Sequence, residues 1–151
     1  MLKGATVAHV LLIDDDPQVQ LLLRMVFEEA GHEVSEASNG RAGVQAYARR
    51  AAAVVVCDQF MPVLDGLETI RQLRALDPEA VVVAMTGEPP RGGSAFPAAA
   101  HAAGAAAVLS KPFNPAALLH LVGELSAGRG RHDQVRSAEA AISPAGAPGS
   151  G

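Results

Sequence analysis

The chain has 151 residues, of which 49% are hydrophobic and only 3% aromatic, with no Trp and a formal net charge of −4. That length carries one ordinary domain and is short for two. The acidic balance and the scarcity of rings argue against binding to nucleic-acid backbones or stacked bases, while a lone cysteine, Cys57, excludes an internal disulfide and suits a reducing, cytosolic compartment.

The first sixteen residues hold one Lys and a short apolar run that ends in acid, which is not the pattern of a signal peptide. Residues 1–6 read as an N-terminal extension. The run His9–Ile13 is continuous enough to predict a strand covered on both faces. Three carboxylates, Asp14, Asp15 and Asp16, follow it directly. Like charges crowded against a low-dielectric core are costly unless a cation or an amine sits among them, so this run demands a positive partner.

Asp16-Pro17 reads as an N-cap followed by Pro at the first helical position. Val19, Leu22, Leu23, Val26 and Phe27 then recur at helical spacing until Gly31 stops the helix. The more polar run from His32 to Ala37 predicts an outer strand, and Asn39 to Arg50 a second helix. A second continuous aliphatic run ends at Cys57, just before Asp58. Asp65 can cap a third helix carrying Leu67, Ile70 and Leu73, which closes near Asp77-Pro78.

A third buried run, Ala80–Met85, leads into Thr86. Gly87 to Pro97 is too rich in Pro and Gly for regular structure, and a helix between it and Gly104 must be short. The last apolar run, Ala105–Ser110, leads into Lys111, and after Pro115 the residues Leu118, Leu119, Val122 and Leu125 predict a final helix. Residues 127–151 are small, polar and Gly/Pro-containing without an apolar stripe, and read as a disordered tail with no room for an output domain. Ala95 to Leu109 is interrupted by Pro97, His101 and Gly104 and falls short of the roughly 20 apolar residues that span a membrane.

Strand and helix alternate throughout, so the predicted architecture is α/β: a doubly wound, five-stranded parallel sheet with helices on both faces. In such sheets ligands collect beyond the carboxyl ends of the strands. Asp14 and Asp15, Asp58, Thr86 and Lys111 each follow one of the four buried runs, and would converge there. Several carboxylates around one point suit a hard divalent cation such as Mg²⁺, and Lys111 is a second positive partner. A carboxylate beside such an ion can attack a phosphoryl group while metal and ammonium neutralise the transferring oxygens. The acidic run then reads as a metal half-site that is incomplete without its ion.

From about Val7 to Leu125 the chain resembles the receiver domain of bacterial two-component response regulators. The resemblance rests on LLIDDDP, DQFMPVLDG, AMTG and GAAAVLSKPF in the expected order and approximate spacing. It implies a flavodoxin-like receiver domain over 7–126 with strand order 2-1-3-4-5. It further implies that Asp58 is the phosphoacceptor and also a ligand of Mg²⁺, with Asp15 the direct ligand, Asp14 a ligand acting through water, and the backbone carbonyl of Phe60 the rest of the protein's share. Lys111, joined to Pro112 by a cis bond, would contact a phosphoryl oxygen, and Thr86 would donate its hydroxyl to the phosphate.

The implied protein is a stand-alone cytoplasmic signalling module that catalyses only its own phosphorylation and dephosphorylation. Its partners would be a histidine kinase or histidine phosphotransfer protein and a downstream protein target, with neither nucleic acid nor membrane. Where receivers usually carry Tyr or Phe three residues before the lysine, this chain has Val108. Readout by ordering of Gly87 to Pro97 around Thr86 and Glu88 is expected in place of a turning ring.

Two other readings stand beside this one. A receiver-shaped scaffold could bind partners without being phosphorylated. A phosphohydrolase of the haloacid dehalogenase type would use Asp14 as nucleophile and Asp16 as acid/base, but the chain lacks its second acidic metal pair and a substrate-selecting cap. Asp16 reads better as a helix cap and Cys57 as core filler. His9, His32, His101, His120 and His132 show no paired ligand spacing and read as structural or exposed. Arg91-Gly92-Gly93 lacks the lysine and spacing of a phosphate-binding loop, and Arg129, Arg131 and Arg136 fit a solvated tail.

Overall fold

The computed structural model describes residues 7–59, 61, 63–87 and 95–139, with side chains through 127. Its elements run β1 (His9–Ile13), α1 (Pro17–Glu29), β2 (Glu33–Ala37), α2 (Gly40–Arg49), β3 (Val54–Asp58), α3 (Gly66–Leu76), β4 (Val82–Thr86), α4 (Phe96–Ala103), β5 (Ala107–Ser110) and α5 (Pro115–Glu139). The five strands form one parallel sheet in the order β2-β1-β3-β4-β5, the doubly wound α/β architecture expected. Strand order reverses between β1 and β3, and the crevice beyond that point is where such sheets hold ligands.

The period-2 alternation of strand side chains divides the core into two layers. Leu11, Ile13, Val55, Cys57, Val82 and Ala84 face one way and pack with Tyr47 of α2, Ile70 and Leu73 of α3, and Phe96 and Ala100 of α4. Val10, Leu12, Val54, Val56, Val83 and Met85 face the other way and pack with Leu23 and Phe27 of α1 and Leu118 and Val122 of α5. Cys57 lies wholly inside the first layer as core filler, and burial pushes its thiol up beyond the range in which it ionises.

Local sequence chemistry places the helix starts. Asp16, Asn39 and Asp65 each accept a backbone N–H in the first turn of their helices, from Gln18, Ala42 and Glu68 at 2.9, 2.8 and 2.9 Å. The short α4 ends on Gly104 at φ 114, a left-handed C-cap that favours glycine. Two histidines serve structure: the Ala8 N–H donates to His32 Nδ1 at 3.1 Å, and His9 Nε2 lies 2.7 Å from Ser35 Oγ.

Two expectations are corrected. β5 is only partly buried along its length, not covered on both faces, because it forms the sheet edge and its neighbour α4 has just eight residues. The last helix does not end near Ser126: its backbone continues to Glu139, into the segment read as disordered. Among the described residues no helix is long and apolar enough to cross a membrane.

Candidate functional site at the carboxyl edge of the sheet

The three strands β1, β3 and β4 deliver their last residues to one edge in register. Ile13 pairs with Cys57, and Asp58 with Met85. Asp14 follows β1 with its N–H donating to Ala37 O at 3.1 Å, so its backbone extends the sheet by one residue beyond the strand. Lys111 follows β5 in the same way, its N–H donating to Thr86 O at 2.7 Å. The Lys111–Pro112 peptide is cis.

One carboxylate oxygen each from Asp14, Asp15 and Asp58 lies within 4.8 Å of the others, with Asp14 and Asp58 buried and Asp15 exposed. The Lys111 ammonium reaches into this group, 2.7 Å from Asp58 Oδ1 and 3.7 Å from Asp14 Oδ2. Burial alone would lower the Lys111 pKa, but the hydrogen bond to Asp58 and the charges of Asp58 and Asp14 outweigh it and hold the ammonium above the ordinary lysine value.

Asp14 is the stressed member of the group. It is 2% exposed. Its Oδ1 accepts the Asp16 N–H at 2.9 Å, while among the described residues its buried Oδ2 has no hydrogen-bond partner. Burial, reinforced by the neighbouring charges of Asp58 and Asp15, raises its pKa from 3.8 to about 6 despite the Asp16 N–H and the more distant ammonium. An orphaned buried oxygen beside two further carboxylates is a site whose charge calls for a cation, and all-oxygen donors match a hard ion such as Mg²⁺.

The sequence-predicted residues Asp14, Asp15, Asp58 and Lys111 are thus brought together. Thr86, 2% exposed at the end of β4, joins them through its carbonyl's bond to the Lys111 N–H and through its hydroxyl, which donates to Gln59 Oε1. Phe60 and Glu88 lie outside the described residues, as does most of the Gly87 to Pro97 segment. Val108 packs against the first core layer. The Asp16 carboxylate accepts the Gln18 N–H, the capping role and not the acid/base role a phosphohydrolase would need.

Gln59 was missed by sequence reasoning. Its signal was available: a polar residue directly after the last residue of a wholly buried strand, at the same edge as the other functional positions. Its N–H donates to Met85 O at 2.8 Å and its carbonyl accepts the Gly66 N–H at 2.9 Å. The turn that carries it is close-packed, because a Cβ on Gly66 would stand 2.6 Å from Asp58 O and 2.9 Å from Gln59 Cα.

Residues 10–123 match the family model of the response regulator receiver domain. The chain is 30% identical over 119 residues to the chemotaxis protein CheY of Thermotoga maritima, covering 78% of this chain and 97% of that protein. Of three further curated relatives, a protein-glutamate methylesterase/protein-glutamine glutaminase and two transcriptional regulators, it spans only 30%, 24% and 39% of the length. Among solved structures, Vibrio cholerae chemotaxis protein CheY4 superposes with a TM-score of 0.72 at 27% identity, covering 80% of this chain and 99% of that one. The receiver domain of a sensor histidine kinase from Pseudomonas aeruginosa PAO1, with a magnesium ion coordinated in its active-site cleft, has a TM-score of 0.72 at 24% identity, covering 81% of this chain and 99% of that one.

Proposed function

The chain belongs to the response regulator receiver family of two-component signalling, and from that premise we propose that it is a stand-alone phosphoacceptor in which Asp58 takes a phosphoryl group from a histidine kinase or a histidine phosphotransfer protein. The observation that carries this reading is the direct ion pair between Lys111 Nζ and Asp58 Oδ1 within a cluster of three carboxylates.

In this reading Asp14, Asp15 and Asp58 would hold Mg²⁺, and the Phe60 carbonyl that the resemblance adds to them belongs to a residue outside the described ones. The fit rests on the orphaned Asp14 Oδ2 and the oxygen-only donor set. When bound, the ion neutralises charge on the phosphoryl oxygens. An Asp58 carboxylate oxygen attacks phosphorus, the P–N bond to the donor imidazole breaks with its electron pair leaving on the ring, and an acyl phosphate forms. Lys111, already aimed at Asp58, follows the charge onto a phosphoryl oxygen, and the Thr86 hydroxyl donates to another. The output is a changed surface that binds a downstream protein, acting in the cytoplasm without nucleic acid or membrane.

Incubation with acetyl phosphate and Mg²⁺ tests the reading. Mass spectrometry should show one phosphoryl group on the wild-type chain and none on Asp58→Asn. Incorporation that survives the substitution, or that maps to Asp14, would overturn the assignment of roles.

A further inference from the structure

Gln59 sits where the proposed reaction needs a hydroxyl to be released. It is buried, and its backbone is pinned on both sides, to Met85 O through its N–H and to the Gly66 N–H through its carbonyl. Its side-chain Oε1 accepts the hydrogen bond that the Thr86 hydroxyl donates. The Thr86 carbonyl is in turn tied to the Lys111 N–H, and the Lys111 ammonium to Asp58, the residue that precedes Gln59. These four residues close a ring that includes the phosphoacceptor.

A threonine hydroxyl has a single proton and can donate it to one strong acceptor at a time. The Gln59 carbonyl and a phosphoryl group on Asp58 therefore compete for the same proton. We propose that Gln59 is a positioning residue that holds Thr86 in the unmodified chain, so that the Gln59–Thr86 bond must break before Thr86 can engage the phosphoryl group. The proposal rests on the phosphoacceptor reading of Asp58. It makes the residue directly after the phosphoacceptor a setting for how readily the switch turns: a stronger acceptor there opposes the modified state, and an apolar side chain of the same size favours it.

Beryllofluoride in the presence of Mg²⁺ serves as the phosphoryl probe, its affinity read by titration on the folded full chain. Gln59→Met and Gln59→Leu keep the volume and remove the acceptor, and thermal melts establish that each is folded. Each variant should bind beryllofluoride about fivefold more tightly than wild type, the scale of one neutral hydrogen bond no longer lost on binding. The gain should vanish when the same substitutions are made in a Thr86→Ala background, because no hydroxyl is left to hold. Unchanged or weaker binding in both variants would overturn the proposal, as would a gain that persists without the Thr86 hydroxyl. Failure of the wild-type chain itself to bind the probe would instead overturn the phosphoacceptor reading, and the two failures are separate measurements.

Discussion

Replacing Asp14 by Asn should make the protein more stable when divalent metal is chelated. The wild-type carboxylate is buried, one of its oxygens has no hydrogen-bond partner among the described residues, and its pKa is raised from 3.8 to about 6. A shift of roughly two units at ~1.4 kcal/mol per unit puts the cost of the ionised form at ~3 kcal/mol. Because the folded pKa lies above the unfolded one, the folded state binds more protons between them, so stability falls as pH rises from 3.8 to about 6 and the whole penalty is present above that. Asn keeps an Oδ1 for the Asp16 N–H but turns an amide toward the ammonium 3.7 Å away. An imperfectly satisfied buried amide costs about 1–2 kcal/mol, which leaves a net gain of about 1–2 kcal/mol.

Urea unfolding in chelator at about pH 7.5 should therefore move to a higher midpoint by roughly 0.5–1 M, for an m-value of about 2 kcal/mol/M. Near pH 4.5 the gap should shrink, since wild-type Asp14 is then largely protonated in the folded chain. Added Mg²⁺ should also narrow it by supplying the wild-type site with its countercharge. A variant no more stable than wild type at the higher pH would refute the reasoning, and so would a gain that persists undiminished in acid.

Three further outcomes are expected. Val63 is exposed and holds φ 75, a left-handed backbone costing a branched L-residue ~1–2 kcal/mol; Val63→Gly should regain about 0.5–1 kcal/mol after glycine's extra unfolded-state entropy, and an unchanged urea midpoint would count against this. Gly66→Ala should cost ~1–3 kcal/mol and impair phosphorylation, because its Cβ meets backbone atoms of Asp58 and Gln59 that cannot give way locally; wild-type melting and wild-type phosphate incorporation would contradict it. Burial holds the His32 pKa below 6.5, so the unfolded chain binds more protons and stability is lost as pH falls through 6.5; His32→Gln should reduce that slope in unfolding curves taken between about pH 5 and 7.5, and an identical slope would exclude His32 as its source.

The sequence by itself determined the features that depend on neighbours along the chain. The aliphatic runs identified β1, β3 and β4, and the caps at Asp16 and Asp65 are local hydrogen bonds that each residue makes with its own helix. The order of the motifs was enough to place Asp14, Asp15, Asp58, Thr86 and Lys111 at one sheet edge, since parallel strands with right-handed crossovers all end on the same side. The receiver family was legible for the same reason.

Tertiary structure decided what depends on residues far apart. Asp14 and Asp15, adjacent and alike in local sequence, differ in what packs over them: Asp14 is buried with an orphaned oxygen and Asp15 is exposed. No local pattern ranks them, so the cost of charge expected of the acidic run falls on Asp14 through long-range burial. The bond from Thr86 to Gln59 crosses 27 positions and was invisible until β3 and β4 were set side by side. The partial exposure of β5 likewise follows from its place at the sheet edge, because desolvation is set by the layers above and below a residue and not by the residue itself.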